Sequence, residues 1–471
     1  MKTIKYLIAS AMMLGLSTSV MAQDNGYKAA LKPIISALEA APDNPLAGKD
    51  LIKNYQKQYK KDEAALVALG NVFLAQHDFA RATEMANLVT NNKRMNGSLA
   101  YLLLGDIAAL KDSIGNAGTA ATQYQLAIDL DPRNYAAYER YARVYRRVNP
   151  KLAIDKLQEL RTVNPKYPVE ATAAEIMLKD GKYAEAIEWY DKGNRDYFTE
   201  DNFYNYGFVC YINRKYTKAM EVVQAGLKKF PGSEYISRIG LMAAVEKEDY
   251  TDALNFAKVV FAGSGKKVSN DYVVYARALL GNKQYDEALA NLNKAMEMDN
   301  NNFNILKVLA EVYFDKGDQD KALEYEQEYL AKNSKATSAD WARLAQTYIA
   351  KAEKIEDTAE RNSVYSKAMD VYESMIAKFP SISDWIWLNQ ANVANMMNDP
   401  DKVVELYIKV AAYEEAKTEL DDESKSYLES VYYGLGYYNS KKGNKQLANE
   451  YYNKVLKINP DNQNAKQALG L

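Results

Sequence analysis

The sequence predicts an all-α protein, a solenoid of about eleven helix-turn-helix repeats. Three observations predict it. The chain has 471 residues, too many for one ordinary hydrophobic core. Glycine and proline number only 22 and 11, fewer than the many turns of a sandwich or barrel demand. Small and aromatic residues return in phase with a period near 34 residues along most of the chain. With 48% hydrophobic and 26% charged residues, the chain has the composition of a folded protein.

The repeat is clearest near the C-terminus, where the chain from Glu429 reads ESVYYGLGYYNSKKGNKQLANEYYNKVLKINPDN. Tyr432, Leu435-Gly436, Ala448, Tyr452, Val455 and Pro460 carry the pattern, and Asn439 replaces a second aromatic. The segment resembles the tetratricopeptide repeat (TPR), two helices A and B joined by a turn. The small residue Gly436 is expected to admit helix B, with Ala448 as its reciprocal contact. Pro460 ends helix B because it lacks an N–H and restricts the residue before it.

Upstream, four units follow almost without slippage from Glu200, Glu234, Ser269 and Phe303. Their marks include Tyr206-Gly207, Ala219, Ala253, Ala288, Leu309-Ala310 and Ala322. Earlier units begin at Glu63, Ser98, Asn134 and Tyr167, marked by Leu69-Gly70, Leu104-Gly105, Tyr141-Ala142 and Gly181. Trp341, Leu344-Ala345 and Trp385 open two more before the last. HEAT and armadillo arrays, the competing helical repeats, have longer periods and lack this phase. The resemblance implies a right-handed solenoid over residues 63–471, with irregular, extended repeats at 337–428. Each unit shelters the next one's apolar stripe. Residues 23–62 do not fit the period and are expected to form an N-terminal helical cap.

Lys2 and Lys5, the apolar run from Tyr6 to Val20 and the site Val20-Met21-Ala22 predict a signal peptide over residues 1–22. An uncleaved anchor is the competing reading, but the run is short for a spanning helix. No cysteine follows the run, which argues against a lipoprotein. The expected location is the periplasm, with outer-membrane association or secretion as variants. Asp112-Ser113-Ile114 and Asp357-Thr358-Ala359 resemble a bacterial O-glycosylation sequon. Both are expected in irregular segments, which nominates Ser113 and Thr358.

Charge and chemistry narrow the function. Sixty basic residues face 62 acidic ones, so no electrostatic footprint for nucleic acid is present. The single histidine, His77, is expected in a turn, and the single cysteine, Cys210, in a core position. Neither a catalytic triad, a usual zinc site nor a phosphate loop can be assembled. No cofactor and no enzymatic activity are expected.

The resemblance instead implies a protein partner held in a concave groove lined by A helices. In that register Glu139, Arg143, Arg146 and Arg147 face the groove from the Asn134 unit. Tyr204, Phe208 and Tyr211 face it from the next unit but one, followed by Tyr235 and Arg238. Arginine beside aromatics suits an acidic or C-terminal peptide. The Lys/Asn clamp of chaperone-binding TPR domains is not matched, because Lys307 precedes Glu311 and Val67 precedes Asn71. The expected role is a scaffold or adaptor in envelope assembly or maintenance. A ligand-binding component of envelope nutrient uptake is the alternative.

Overall fold

The computed structural model describes residues 26–42, 44, 46–111 and 117–471. The expected signal peptide, residues 1–22, and Ser113 lie outside the described residues. Among the described residues there are twenty-five α-helices and no strand. Two helices come first, α1 (Tyr27–Ala40) and α2 (Lys49–Gln58). Eleven A/B pairs follow. Five are α3 (Glu63–Ala75) with α4 (Phe79–Thr90), α5 (Ser98–Lys111) with α6 (Ala117–Leu130), α7 (Tyr135–Tyr145) with α8 (Pro150–Val163), α9 (Val169–Lys179) with α10 (Tyr183–Lys192), and α11 (Glu200–Ile212) with α12 (Tyr216–Lys229). The sixth is α13 (Glu234–Glu246) with α14 (Tyr250–Ala262). Three more are α15 (Ser269–Gly281) with α16 (Tyr285–Met298), α17 (Asn304–Lys316) with α18 (Gln319–Lys332), and α19 (Ser338–Ala352) with α20 (Thr358–Lys378). The last two are α21 (Ser383–Met396) with α22 (Pro400–Glu415), and α23 (Asp422–Lys441) with α24 (Lys445–Ile458). The short α25 (Gln463–Leu469) closes the chain.

Contacts divide the described residues into two compact units, the first ending at Ala243 and the second running from Ala244 to Leu471. In the first, α1 and α2 share one apolar cluster with α3, α4 and α5. Tyr55 of α2 donates a hydrogen bond to the Ala65 carbonyl of α3 at 3.1 Å. In the second, the extended repeats arise from long helices, α20 with 21 residues and α23 with 20.

The in-phase small residues do what the period requires. Ala82, Ala153, Ala186, Ala219, Ala253, Ala288, Ala322, Ala368 and Ala448 are at most 1% exposed, on the stripe where each B helix meets its neighbours. A Cβ on Gly436 would stand 2.7 Å from Tyr452 Cε1, and one on Gly105 would overlap the Tyr124 ring. At both positions the atoms nearest the bare Cα belong to a ring of the B helix. An aromatic four residues beyond the alanine is long enough to reach back across the pair.

One turn design recurs between A and B helices. His77, Arg214, Glu248, Lys283 and Asn398 have φ between 57° and 62°, and Gly317 takes the same place. At the Glu248 turn, the Asp249 N–H bonds the Ala244 carbonyl and the Glu248 N–H bonds that of Val245, the Schellman pattern. The next residue then opens helix B: Asp249 accepts from Asp252 N at 3.3 Å, and Asp78, Asp318 and Asp399 cap their own B helices. One residue ends A and begins B, so the connection is short and its geometry fixed.

Candidate partner-binding face

The residues nominated in sequence lie in the first unit, on the A helices α7, α11 and α13. Glu139 and Arg143 stand one turn apart on α7, with Arg143 Nη2 3.8 Å from Glu139 Oε2. Glu139 also accepts a hydrogen bond from the Tyr167 hydroxyl, which in turn accepts from Thr172 at 3.0 Å. Arg143 is exposed.

Arg146 and Arg147 lie at the end of α7, where Arg146 Nη1 donates to the Arg143 carbonyl at 2.9 Å. Helix α7 ends at Tyr145, so both lie beyond its last turn. Their Nε atoms converge on Asp180 Oδ1 at 2.8 and 2.9 Å, at the end of α9. Burial alone would raise the Asp180 carboxyl, but the hydrogen bonds from the two guanidinium groups outweigh it and hold it below the usual range. The helical register assumed for them fails because Asn149-Pro150 starts a new helix at once, leaving α7 only eleven residues. They are a clasp between successive repeats.

The aromatics do come together. Tyr204 and Phe208 stack on α11 with ring centroids 6.2 Å apart. Tyr235, 56% exposed on α13, meets Tyr204 edge-on at 6.3 Å. Tyr211 turns away towards the A–B turn, where its ring lies 5.8 Å from that of Tyr216. Arg238 is half-buried on α13.

Between the charged and aromatic parts lies α9, which the sequence reading passed over. Glu175 and Lys179 repeat the Glu139–Arg143 spacing one unit later, and that echo was available in the sequence. Glu175 accepts from Asn202 Nδ2 of α11 at 2.7 Å, which ties α9 to the aromatic helix. Burial raises the Glu175 carboxyl, with Lys179 and Arg143 opposing. Burial lowers the Lys179 ammonium, and the nearby Arg143 charge adds to that. Arg143 and Lys179 are exposed, each one turn after a carboxylate, and Tyr235 is exposed on α13.

The remaining nominations resolve simply. Thr358 is the first residue of α20, not part of an irregular segment, because Asp357 caps that helix through Glu360 N at 2.8 Å. Its exposed Oγ1 accepts from Arg361 Nη2 at 3.1 Å. His77 holds its left-handed turn with its ring 5.9 Å from Phe79. Cys210 is fully buried, and burial pushes its thiol up to about 12, far from a reactive thiolate. Among the described residues no cluster of His, Cys, Asp and Glu is placed to hold a metal ion, and no helix is long and apolar enough to cross a membrane.

Serial A/B pairs closed by a common turn and packed through in-phase small residues define a helical-repeat solenoid protein. Models of the tetratricopeptide repeat match residues 279–347 and 429–462. The chain is a tetratricopeptide-repeat protein, and repeats of this kind serve as protein-interaction scaffolds. A TPR repeat-containing protein of Methanocaldococcus jannaschii is 23% identical over 310 residues, 64% of this chain and 52% of that one. DnaJ homolog subfamily C member 3 of Rattus norvegicus is 24% identical over 300 residues, 62% of this chain and 54% of that one. The chain thus spans about half the length of these curated relatives. The solved C-terminal part of a TPR repeat-containing protein from Cytophaga hutchinsonii is 21% identical, with a TM-score of 0.44. That match covers 57% of this chain and all of the solved one.

Proposed function

We propose that this protein is an exported periplasmic scaffold that binds a protein partner on the A-helix face of its first unit, as an adaptor in envelope assembly or maintenance. The observation that carries the binding reading is the joined surface of α7, α9, α11 and α13. Arg143 of α7, Lys179 of α9, Tyr204 and Phe208 of α11 and Tyr235 of α13 belong to it, with α9 tied to α11 by the Asn202–Glu175 hydrogen bond. The charge suits an acidic or carboxylate-terminated segment, and the rings supply contact area at small entropic cost. Export rests on the basic start and apolar run of residues 1–22 and on the small residues that follow it.

Crosslinking in intact cells, with the partner identified by mass spectrometry, tests this reading. Arg143→Glu combined with Phe208→Ala should cut recovery of the crosslinked partner at least tenfold, while the helical circular dichroism spectrum is kept. Undiminished recovery would remove this face from the mechanism. Recovery of a mature chain still carrying residues 1–22, in the cytoplasm, would remove the export step.

A further inference from the structure

The second unit contains a cavity of about 640 Å³ where the A helices of three successive pairs begin. Ala342 and Gln346 of α19, Asp384 and Trp385 of α21, and Glu423 and Tyr427 of α23 form its walls. The cavity falls in the stretch of extended repeats, where α23 gains extra turns ahead of its repeat register. Those turns carry Glu423 and Tyr427 over the opening.

The charge of the cavity is one-sided. Asp384 is 8% exposed and Glu414, near the end of α22, is fully buried. Lys417 serves both: its Nζ lies 2.8 Å from Glu414 Oε1 and 3.4 Å from Asp384 Oδ2, with a third hydrogen bond to Ser424 Oγ at 3.0 Å. Its three donors are therefore spent inside the cluster. Glu423, exposed at the rim, accepts from the Tyr427 hydroxyl at 2.8 Å. Asp384 and Glu414 thus share the single ammonium of Lys417, and Glu423 stands at the exposed rim. The first two are buried, where an uncompensated negative charge is disfavoured. Burial raises the Glu414 carboxyl, with Asp384 adding to it.

We propose that this cavity receives an arginine side chain presented by an extended segment of a protein partner. The proposal rests on the reading that the chain binds proteins, but it uses a different unit and the opposite charge. Arginine fits better than lysine. Its planar guanidinium can lie along Trp385 and Tyr427 while its fork of N–H groups reaches Asp384 and Glu423. The volume exceeds one side chain and accommodates the flanking backbone, for which Gln346 offers both a donor and an acceptor. An anionic ligand is disfavoured, since every charged group of the walls except the committed Lys417 is a carboxylate.

The full chain is titrated with acetyl-Gly-Arg-Gly-amide and with acetyl-Gly-Gln-Gly-amide, following tryptophan fluorescence. The arginine peptide should give a saturable change and bind at least tenfold more tightly than the glutamine peptide. Glu423→Gln, at an exposed rim position that leaves the fold intact, should weaken it at least threefold, and Asp384→Asn more. Arg143→Glu should leave the titration unchanged. Equal responses to the two peptides would overturn the proposal, as would an arginine response untouched by both carboxylate variants. Agmatine binding as tightly as the tripeptide would overturn the peptide occupant, showing a pocket for a free guanidinium compound. Failure here with partner recovery still sensitive to Arg143→Glu would sink this inference alone and leave the first-unit face standing.

Discussion

At the scale of single residues, the A–B turns are the most uniform feature of the chain and the least visible in its sequence. A left-handed residue costs roughly 1 kcal/mol or more when it carries a Cβ. Yet His77, Arg214, Glu248, Lys283 and Asn398 occupy that conformation, because the Schellman bonds around each satisfy the last carbonyls of helix A. The five residue types share no propensity that marks them. What marks the turn is the following Asp in Asp78, Asp249 and Asp399. Glu248→Gly should therefore stabilise the protein by about 0.5–1 kcal/mol, the relief of strain being partly offset by the added freedom of the unfolded chain. Gly317→Ala, at φ 89°, should destabilise it by about 1 kcal/mol. Urea unfolding of both variants checks the pair, and shifts of the same sign would refute the strain argument.

At the scale of helices, packing depends on rings seated against glycine. Tyr452 of α24 is 5% exposed and lies against the bare Cα of Gly436 on α23, so the two helices approach closely at that point. The period of small residues was legible because it repeats. The identity of the group filling each gap was not, because Tyr124, Tyr452 and Ala448 all satisfy an apolar pattern and only the interhelix distance separates them. The same reasoning explains Arg146 and Arg147. Their place on a groove followed from continuing the helix, and only the early start of α8 at Pro150 shows that it stops. Gly436→Ala should cost about 1–3 kcal/mol by overpacking against Tyr452. In the background of Tyr452→Leu, which shortens the opposing group, the same change should cost less than half as much. A double-mutant cycle by thermal melting measures the coupling, and strict additivity would mean that the contact is not what limits approach.

At the scale of the molecule, stability in a repeat array is a sum of unit and neighbour terms, so a polar defect between two repeats is felt by the whole curve. Glu326 of α18 is such a defect. It is 4% exposed, facing α19, where Thr347 Oγ1 donates to its Oε1 at 3.0 Å. Arg343 Nε stays 3.7 Å away, since that guanidinium is engaged by Glu311 of α17 at 2.6 Å. Burial pushes the Glu326 carboxyl up to about 7, only partly opposed by Thr347 and Arg343. In the unfolded chain a glutamate titrates near its ordinary value of about 4.3. Below that value both states hold the proton and Glu326 has no effect on stability. Between the two values the unfolded chain releases the proton first, so stability falls as pH rises, and the penalty is complete above about 7. Asp180 and Asp340 have the opposite sign. Burial works against them too, but hydrogen bonds from Arg146 and Arg147, and from Lys307 and Thr337, hold them low. Their contribution is present above the unfolded aspartate value and is lost as pH falls below it. Stability should therefore peak on the mildly acidic side of neutrality. Glu326→Gln keeps an acceptor for Thr347 and removes the ionisation. It should exceed the parent at pH 8 by on the order of 1–3 kcal/mol, with the advantage shrinking to nothing near pH 4. Thermal melts of both proteins across that range decide it, and a difference that does not change with pH would mean that Glu326 keeps its charge in the folded chain.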